Sequence, residues 1–207
     1  MCESLPNDKP RFLPLLNGSP VELLHAVFNG VDVIETDYPT EMGRAGFAFM
    51  FDPDVSIDSL REEIKKMSAE EKQAKLVEYF TSAPAPVVPA AKAGPPPKKK
   101  GKAGQAPKLK PAVEGFHNVQ VLDCAGDSCA GVVHPISEKS FVKQYSRAYI
   151  HHMYQCGELL GTMLVSMHNI HMYHRLLEAC RRHLEEGTFL DFALVFMESQ
   201  TDACKKA

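Results

Sequence analysis

The chain has 207 residues, 44% of them hydrophobic, and a formal net charge of −3. This length and composition exclude a fibrous or wholly disordered protein and allow about one hydrophobic core. The charge is uneven, because residues 83–112 hold seven lysines and no acid; setting those seven of the 23 basic residues aside leaves 16 against 26 acidic ones. A negatively charged surface is poorly suited to bind a polyphosphate alone, so binding of RNA would need a partner that supplies basic surface.

The first 50 residues predict a strand, a helix and a second strand. Residues 11–16 are a short apolar run, and Ser19 followed by Pro20 has the pattern of a helix N-terminus. The helix is expected to end at Gly30, and residues 31–34 form a second strand-like run. A strand, helix and strand with short connections imply parallel pairing, with chemistry expected at the C-terminal ends of the strands.

The next two segments differ sharply in composition. The charged stretch from Ser59 to Phe80 has an amphipathic pattern and predicts one helix within residues 51–82. Residues 83–112 contain eight of the 15 prolines, eight alanines and the seven lysines, too little apolar surface to offset the entropy of ordering. We expect a disordered linker there. No aromatic residue interrupts the lysines to stack on bases, so a solvated insertion is favoured over an RNA-contacting tail.

Helical periodicity returns in residues 113–207. A short strand is predicted around Val121 and Leu122, before a loop with two cysteines. From Ser146 to Glu186, apolar residues recur every three or four positions. This pattern predicts one long helix, or two helices joined near residues 156–157, with an end at Gly187.

The six cysteines follow no N-terminal apolar signal, which predicts free thiols rather than disulfides. The longest apolar stretch, residues 159–167, is interrupted by polar residues and falls short of the roughly 18 that span a bilayer. We therefore expect a cytoplasmic protein without direct membrane insertion.

Two segments carry a resemblance to a known family. They are residues 5–46, LPNDKPRFLPLLNGSPVELLHAVFNGVDVIETDYPTEMGRAG, and residues 146–169, which contain SRAYIHHM and GELLGTMLVSMHN. The first resembles the last βαβ unit of the tRNA-guanine transglycosylase (queuine tRNA-ribosyltransferase) barrel, and the second is similar to the helices beside that family's zinc site. The resemblance implies an α/β fold: the C-terminal part of a TIM (β/α)8 barrel, with a zinc-region insertion and a long C-terminal helical segment.

The implied divisions are residues 1–50 for the last βαβ unit, 51–82 for the charged helix, 83–112 for the linker, and 113–207 for the zinc region and C-terminal helices. The barrel strands that would precede residue 11 have no counterpart here. We expect a piece of a longer protein, rather than one that completes a barrel in another chain, because a partial barrel leaves strand edges unpaired.

The resemblance also implies an activity and places two residues in it. Enzymes of this family replace guanine at the tRNA wobble position with queuine or a precursor, through a covalent intermediate on an aspartate. Glu35 occupies the position of that nucleophile, and Glu41 that of an arginine that holds the anticodon loop. One extra methylene misplaces the carboxylate by about 1 Å, which can cost roughly a hundredfold in rate, and an anion at position 41 would repel phosphates.

We therefore predict a non-catalytic accessory subunit with no catalytic residue of its own. Its partner would be the catalytic subunit of queuine tRNA-ribosyltransferase, in a heterodimer that reaches tRNA as a complex and supports queuosine modification. The family resemblance adds peripheral association with the mitochondrial outer surface. Two alternatives stay open: an active transglycosylase that uses Glu35, and a lysine-rich RNA-binding adaptor.

The zinc site implied by the resemblance is incomplete. The family has Cys-x-Cys-x-x-Cys and then a histidine, which matches His168. The three cysteine positions fall here on Ser137, Lys139 and Val142. Cys124 and Cys129 lie just upstream, and a displaced loop that brought them to His168 would make a zinc site. The alternative is two free thiols and an ordinary histidine.

Overall fold

The computed structural model describes residues 6, 8–14, 18–60, 62–82 and 121–204. It begins with strand β1 (Phe12–Pro14), helix α1 (Pro20–Phe28) and strand β2 (Val33–Glu35). β1 and β2 pair in parallel, with Leu13 opposite Ile34. The predicted strand–helix–strand unit and its parallel pairing are confirmed, although residues 15 and 16 of the predicted first strand lie outside the described residues.

Local signals explain both ends of α1. The Ser19 hydroxyl accepts a hydrogen bond from the Glu22 amide at 3.3 Å, and the Glu22 carboxylate accepts one from the Ser19 amide at 2.9 Å. This reciprocal capping box satisfies two amides that the first turn leaves unpaired. Pro20 takes the first helical position, and Gly30, with a φ of 78°, turns the chain after the helix. The predicted helix start and the glycine stop are confirmed.

The prediction of one continuous helix from residue 59 to residue 80 is wrong. The segment has a 3-10 turn (Ile57–Ser59), the single-turn helix α3 (Glu62–Lys65) and helix α4 (Ala69–Ser82). α4 starts separately because Ser68 and Glu71 form a second capping box, with bonds of 2.8 and 3.3 Å. The linker predicted at residues 83–112, like residues 113–120, lies outside the described residues.

A short helix and strand follow β2. Helix α2 (Tyr38–Ala45) leads into strand β3 (Phe47–Phe49), which pairs antiparallel with strand β4 (Val121–Asp123). β4 confirms the predicted strand around Val121 and Leu122. Neither α2 nor β3 was predicted. The eight residues of α2 are too few to display a clear period, and the apolar run that contains β3, residues 47–51, was overlooked.

Three more α-helices follow in the described residues: α5 (Arg147–Cys156), α6 (Leu159–Glu185) and α7 (Phe189–Cys204). Of the two alternatives for this region, the pair of helices is the one observed. Gly157, with a φ of 69°, ends α5, and Gly187, with a φ of 71°, separates α6 from α7. The 16-residue helix α7 was not predicted.

Helix α6 joins two hydrophobic cores. The larger core packs α6 and α7 against α1, α2, β3 and α4, and contains the aromatic residues Tyr38, Phe49, Phe51, Tyr173 and Phe196. The smaller core packs the other end of α6 against α5, β3 and the loops on either side of residue 136. The described residues thus form a mixed α/β unit that is mostly helical, in which no helix has the length and apolarity to cross a membrane.

Candidate functional site

The C-terminal edge of the parallel strands carries Glu35. It is the last residue of β2, lies opposite Pro14 of β1, and has an exposed side chain. Three residues earlier, the Asp32 carboxylate accepts a hydrogen bond from the Arg11 amide at 2.8 Å and connects the start of β2 to the start of β1. The structure therefore places Glu35 at the edge where parallel α/β sheets carry their reactive groups.

The backbone just after Glu35 is held on two sides. Gly18, with a φ of 32°, lies so close to Thr36 that a Cβ at position 18 would sit 2.1 Å from the Thr36 hydroxyl oxygen. The Gly18 carbonyl accepts a hydrogen bond at 2.7 Å from the hydroxyl of Tyr173 on α6. Tyr173 is buried, and burial raises the pKa of its hydroxyl well above the usual range, so it stays a donor. The exit of β2 is thus fixed against α6.

Glu41 lies in the first turn of α2 and forms an ion pair with Arg44 one turn later. The prediction for Glu41 from the sequence did not take this cation into account. The three-residue spacing on a helix was the signal that would have found it. Arg44 therefore balances part of the negative charge at position 41.

A pocket of about 310 Å³ lies beside the end of β2 and does not contain Glu35. Its lining is largely apolar and comes from α1, β2, α2 and α6: Leu23, Ile34, Thr36, Pro39, Thr40, Ile170, Tyr173, His174 and Leu177. Ile34 and Glu35 are consecutive strand residues, so their side chains point to opposite faces. The pocket therefore does not bring a ligand to Glu35.

His168, the residue matched to the family's zinc histidine, is fully buried in α6. Its Nε2 atom lies 2.8 Å from the Phe49 carbonyl oxygen, and its Nδ1 atom lies 2.7 Å from the Ser140 hydroxyl oxygen. A carbonyl only accepts, so Nε2 carries the proton and Nδ1 accepts from Ser140. Burial lowers the pKa of His168, which favours this neutral ring.

The neighbouring Asn169 ties α6 to β3 in the same place. Its amide nitrogen donates to the carbonyls of Pro39 and Phe47, at 3.1 and 2.9 Å, and its amide oxygen accepts from the Phe49 amide at 2.9 Å. The side chain is fully buried, and these bonds satisfy both ends of the amide. No role was predicted for this asparagine from the sequence, in which it is the last residue of a matched segment.

The residues at the three expected cysteine positions have other environments. Val142 is buried in the smaller core. Lys139 forms ion pairs with Asp52 at 3.0 Å and with Asp54 at 3.3 Å. The Ser137 hydroxyl accepts a hydrogen bond from the Lys139 amide at 3.2 Å. None of these positions offers a thiolate.

The structure does not bring the predicted set Cys124, Cys129 and His168 together. Both cysteines are buried in the smaller core, and the hydrogen bond between their thiols raises the pKa of Cys124. The two ring nitrogens of His168 are occupied by Ser140 and Phe49. Among the described residues, no group of three or more histidine, cysteine or acidic side chains is arranged to hold a metal. The displaced zinc site stays a prediction, because these three residues do not form a ligand set in this structure.

A parallel βαβ unit with a carboxylate at its C-terminal edge and a helical layer on one side is the arrangement of an α/β protein with a strand-end site. The profile of the family described as queuine tRNA-ribosyltransferase matches residues 1–80 and 130–202. The chain belongs to the queuine tRNA-ribosyltransferase family.

Three relatives illustrate the match. A queuine tRNA-ribosyltransferase-like protein of Theileria parva is 24% identical over 96% of this chain and 41% of its own length. One of Plasmodium falciparum is 22% identical over 94% of this chain and 67% of its own length. A queuine tRNA-ribosyltransferase of Chromobacterium violaceum is 27% identical over 94% of this chain and 35% of its own length. The chain thus matches a C-terminal portion of longer proteins, in most cases well under half of them.

Proposed function

We propose that this chain acts as a non-catalytic accessory subunit in queuosine modification of tRNA. The observation that carries the proposal is Glu35 at the C-terminal end of β2, where the family resemblance expects an aspartate nucleophile. Because the chain spans only a portion of its relatives, both the activity and the role belong to this proposal.

The surroundings of Glu35 support this interpretation. A glutamate could replace an aspartate nucleophile if the strand withdrew by the length of one methylene. Here the next residue, Thr36, has no room to move toward Gly18, and Gly18 is itself bonded to Tyr173. With the backbone held, the Glu35 carboxylate lies beyond the place an aspartate would reach, and an error of about 1 Å costs roughly a hundredfold in rate.

The test is guanine exchange into tRNA, measured with the natural protein alone and together with a catalytic transglycosylase subunit. We expect no turnover alone, and the Glu35→Gln variant should leave the activity of the combined proteins unchanged. Glu35→Gln preserves size and removes the charge, so it isolates the nucleophile. Turnover by the protein alone that disappears in Glu35→Gln would establish the active transglycosylase instead, an alternative that the neutralising Glu41–Arg44 pair keeps open.

Pairing with the catalytic subunit is proposed to use an apolar stripe on α6. Leu160, Met163, Met167 and Ile170 follow each other at three- or four-residue intervals and are 37, 50, 40 and 41% exposed. This spacing places them on one face of the helix, and an exposed row of large apolar side chains is typical of a protein contact. Leu164, by contrast, is 4% exposed and belongs to the smaller core.

The pairing is tested by co-purification of the two subunits. We expect the double variant Met163→Asp and Met167→Asp to abolish co-purification without lowering the melting temperature, because both side chains face solvent. Leu184→Asp is the matched control, since Leu184 is 51% exposed on the same helix but about 25 Å beyond Met167 along it. Equal co-purification of the double variant and the control would remove this surface from the proposal.

The third hypothesis, a lysine-rich RNA-binding adaptor, depends on residues 83–112, which lie outside the described residues. Deletion of that segment separates the two functions. RNA binding that vanishes while subunit pairing persists would favour the adaptor, whereas the accessory proposal expects modification activity of the combined proteins to survive the deletion.

A further inference from the structure

The joint between α6, β3 and the loop of residues 137–142 is where the family resemblance implies a structural zinc ion. A histidine binds zinc through a nitrogen lone pair. The only lone pair of the neutral His168 ring is on Nδ1, since Nε2 donates to the Phe49 carbonyl, and Nδ1 accepts from Ser140 at 2.7 Å. With no thiolate at positions 137, 139 and 142, the residues present do not fit a metal ion.

A buried chain of hydrogen bonds occupies this place. The Val142 amide donates to the Ser140 hydroxyl oxygen at 3.2 Å, the Ser140 hydroxyl donates to His168, and His168 donates to the Phe49 carbonyl. Ser140 is 4% exposed, and His168 and Phe49 are fully buried. Each hydrogen bond in this series donates in the same direction, so every donor meets an acceptor. The Ser140 hydroxyl acts both as an acceptor and as a donor.

A charged cluster surrounds the same joint at the surface. Lys139, at one of the family's cysteine positions, forms ion pairs with Asp52 and Asp54 in the segment that follows β3. Arg175 of α6 also pairs with Asp54, and His171 of α6 donates to the Lys139 carbonyl at 3.1 Å. These contacts link the loop and α6 to the segment that follows β3.

The buried and the exposed contacts differ in how much they contribute to stability. Lys139 and Asp52 are 51 and 54% exposed, and ion pairs this open to water typically contribute little to stability. A buried hydrogen-bonding group that loses its partner carries its full desolvation cost. The chain through Ser140 and His168 is therefore the principal connection, and the cluster around Lys139 is secondary.

We propose that this protein closes the joint without a metal ion. The hydrogen bonds from Ser140 to His168 and from His168 to Phe49, supported by the Lys139 ion pairs, connect the loop of residues 137–142 to α6, which the family resemblance implies zinc would link, and connect both to β3. The proposal depends on the residues of the joint and holds whether or not Glu35 is a nucleophile.

The first test is metal content together with thermal unfolding of the natural protein. We expect substoichiometric zinc by elemental analysis. The melting temperature should be unchanged by a strong chelator and by added zinc, because a ligand raises stability only if the folded protein binds it. One zinc ion per chain, with a melting temperature that falls on chelation, would overturn the proposal.

The second test compares two identical substitutions in one loop. Ser140→Ala leaves His168 Nδ1 and the Val142 amide without their partner, and we expect the folding equilibrium constant to fall about 10- to 100-fold. Ser137→Ala is the control, because the Ser137 hydroxyl bonds only to the nearby Lys139 amide among the contacts described, and we expect less than about a threefold change. Equal stability of the two variants would show that the Ser140–His168 bond does not hold the joint.

Discussion

The strand edge at Glu35 and the joint at His168 are the two places where the family resemblance implies chemistry, and they depart from the family pattern in different ways. At the edge, the substitution keeps a carboxylate and changes its reach, while the site is exposed and its partners are few. At the joint, the implied thiolate positions hold Ser137, Lys139 and Val142, of which only Val142 is buried. The neighbouring Ser140 and His168 form a buried set of hydrogen bonds whose partners the structure identifies. A buried hydrogen-bonding arrangement is therefore interpretable from structure, whereas a change of length at an open edge requires an assay.

The largest loss of stability is expected on substitution of Asn169, which links α6 to β3 beside the joint. Asn169→Leu keeps the size of the side chain but removes its three buried hydrogen bonds, to the Pro39 and Phe47 carbonyls and from the Phe49 amide. Each buried hydrogen bond that is lost costs about 1–3 kcal/mol, so we expect the free energy of unfolding to fall by about 3 kcal/mol. Urea denaturation measures this.

Gln155→Leu is the control for Asn169→Leu. The Gln155 amide donates to the Ala125 carbonyl at 3.0 Å from an exposed position, so its loss should cost within about 0.5 kcal/mol. Similar losses in both variants would mean that Asn169 acts through its size alone.

An intermediate effect is expected at Gly43, where α2 meets α6 and connects the strand edge to the joint. A Cβ at this position would lie 2.3 Å from the Ser166 hydroxyl oxygen and 2.7 Å from the Ser166 amide nitrogen. Because the amide cannot move aside as a side chain can, we expect Gly43→Ala to lower the free energy of unfolding by about 1–3 kcal/mol. Arg44→Ala, the adjacent exposed substitution, should cost no more than about 0.5 kcal/mol. Equal stabilities of Gly43→Ala and Arg44→Ala would show that α2 and α6 can move apart at position 43 without a cost in stability.

The smallest effect is expected at His183, a second buried histidine of α6 that lacks the full set of bonds found at His168. Its Nδ1 atom lies 2.8 Å from the Thr188 hydroxyl oxygen, its ring stacks on Phe192 at 4.6 Å, and its Nε2 atom has no hydrogen-bond partner among the described residues. Burial lowers the pKa of His183; the charge of Arg182 lowers it further, while Glu186 opposes the shift.

A lowered folded-state pKa means that the unfolded chain binds more protons just below its own pKa of about 6.5. The contribution of His183 to stability is therefore complete above that pH and is lost as the pH falls toward the folded-state pKa. We expect acid destabilisation to be smaller in His183→Asn, which retains a polar atom near Thr188, than in the natural protein. Urea denaturation at pH 7.5 and 5.5 tests this, and parallel pH profiles would assign the titration elsewhere.

Local sequence signals predicted those elements whose ends depend on neighbouring residues. Ser19, Pro20 and Gly30 located α1, and Gly157 separated α5 from α6, since capping and left-handed glycine turns involve residues within one turn. The same kind of signal at Ser68 and Glu71 was overlooked. The failure to predict a separate start for α4 was therefore an error of interpretation. The apolar run of residues 47–51, which contains β3, was also overlooked, whereas the pairing of β3 with β4 joins residues more than 70 positions apart and has no local signal.

By itself, the sequence determined the family, the parallel strand–helix–strand unit and the position of Glu35 at its edge, because these depend on contiguous motifs and short-range geometry. Only the tertiary structure decided what surrounds His168. Its partners are Ser140, 28 positions earlier, and the Phe49 carbonyl, 119 positions earlier. Such partners are chosen by the packing of distant elements around a buried polar group that must be satisfied, and no local pattern in the chain records that choice.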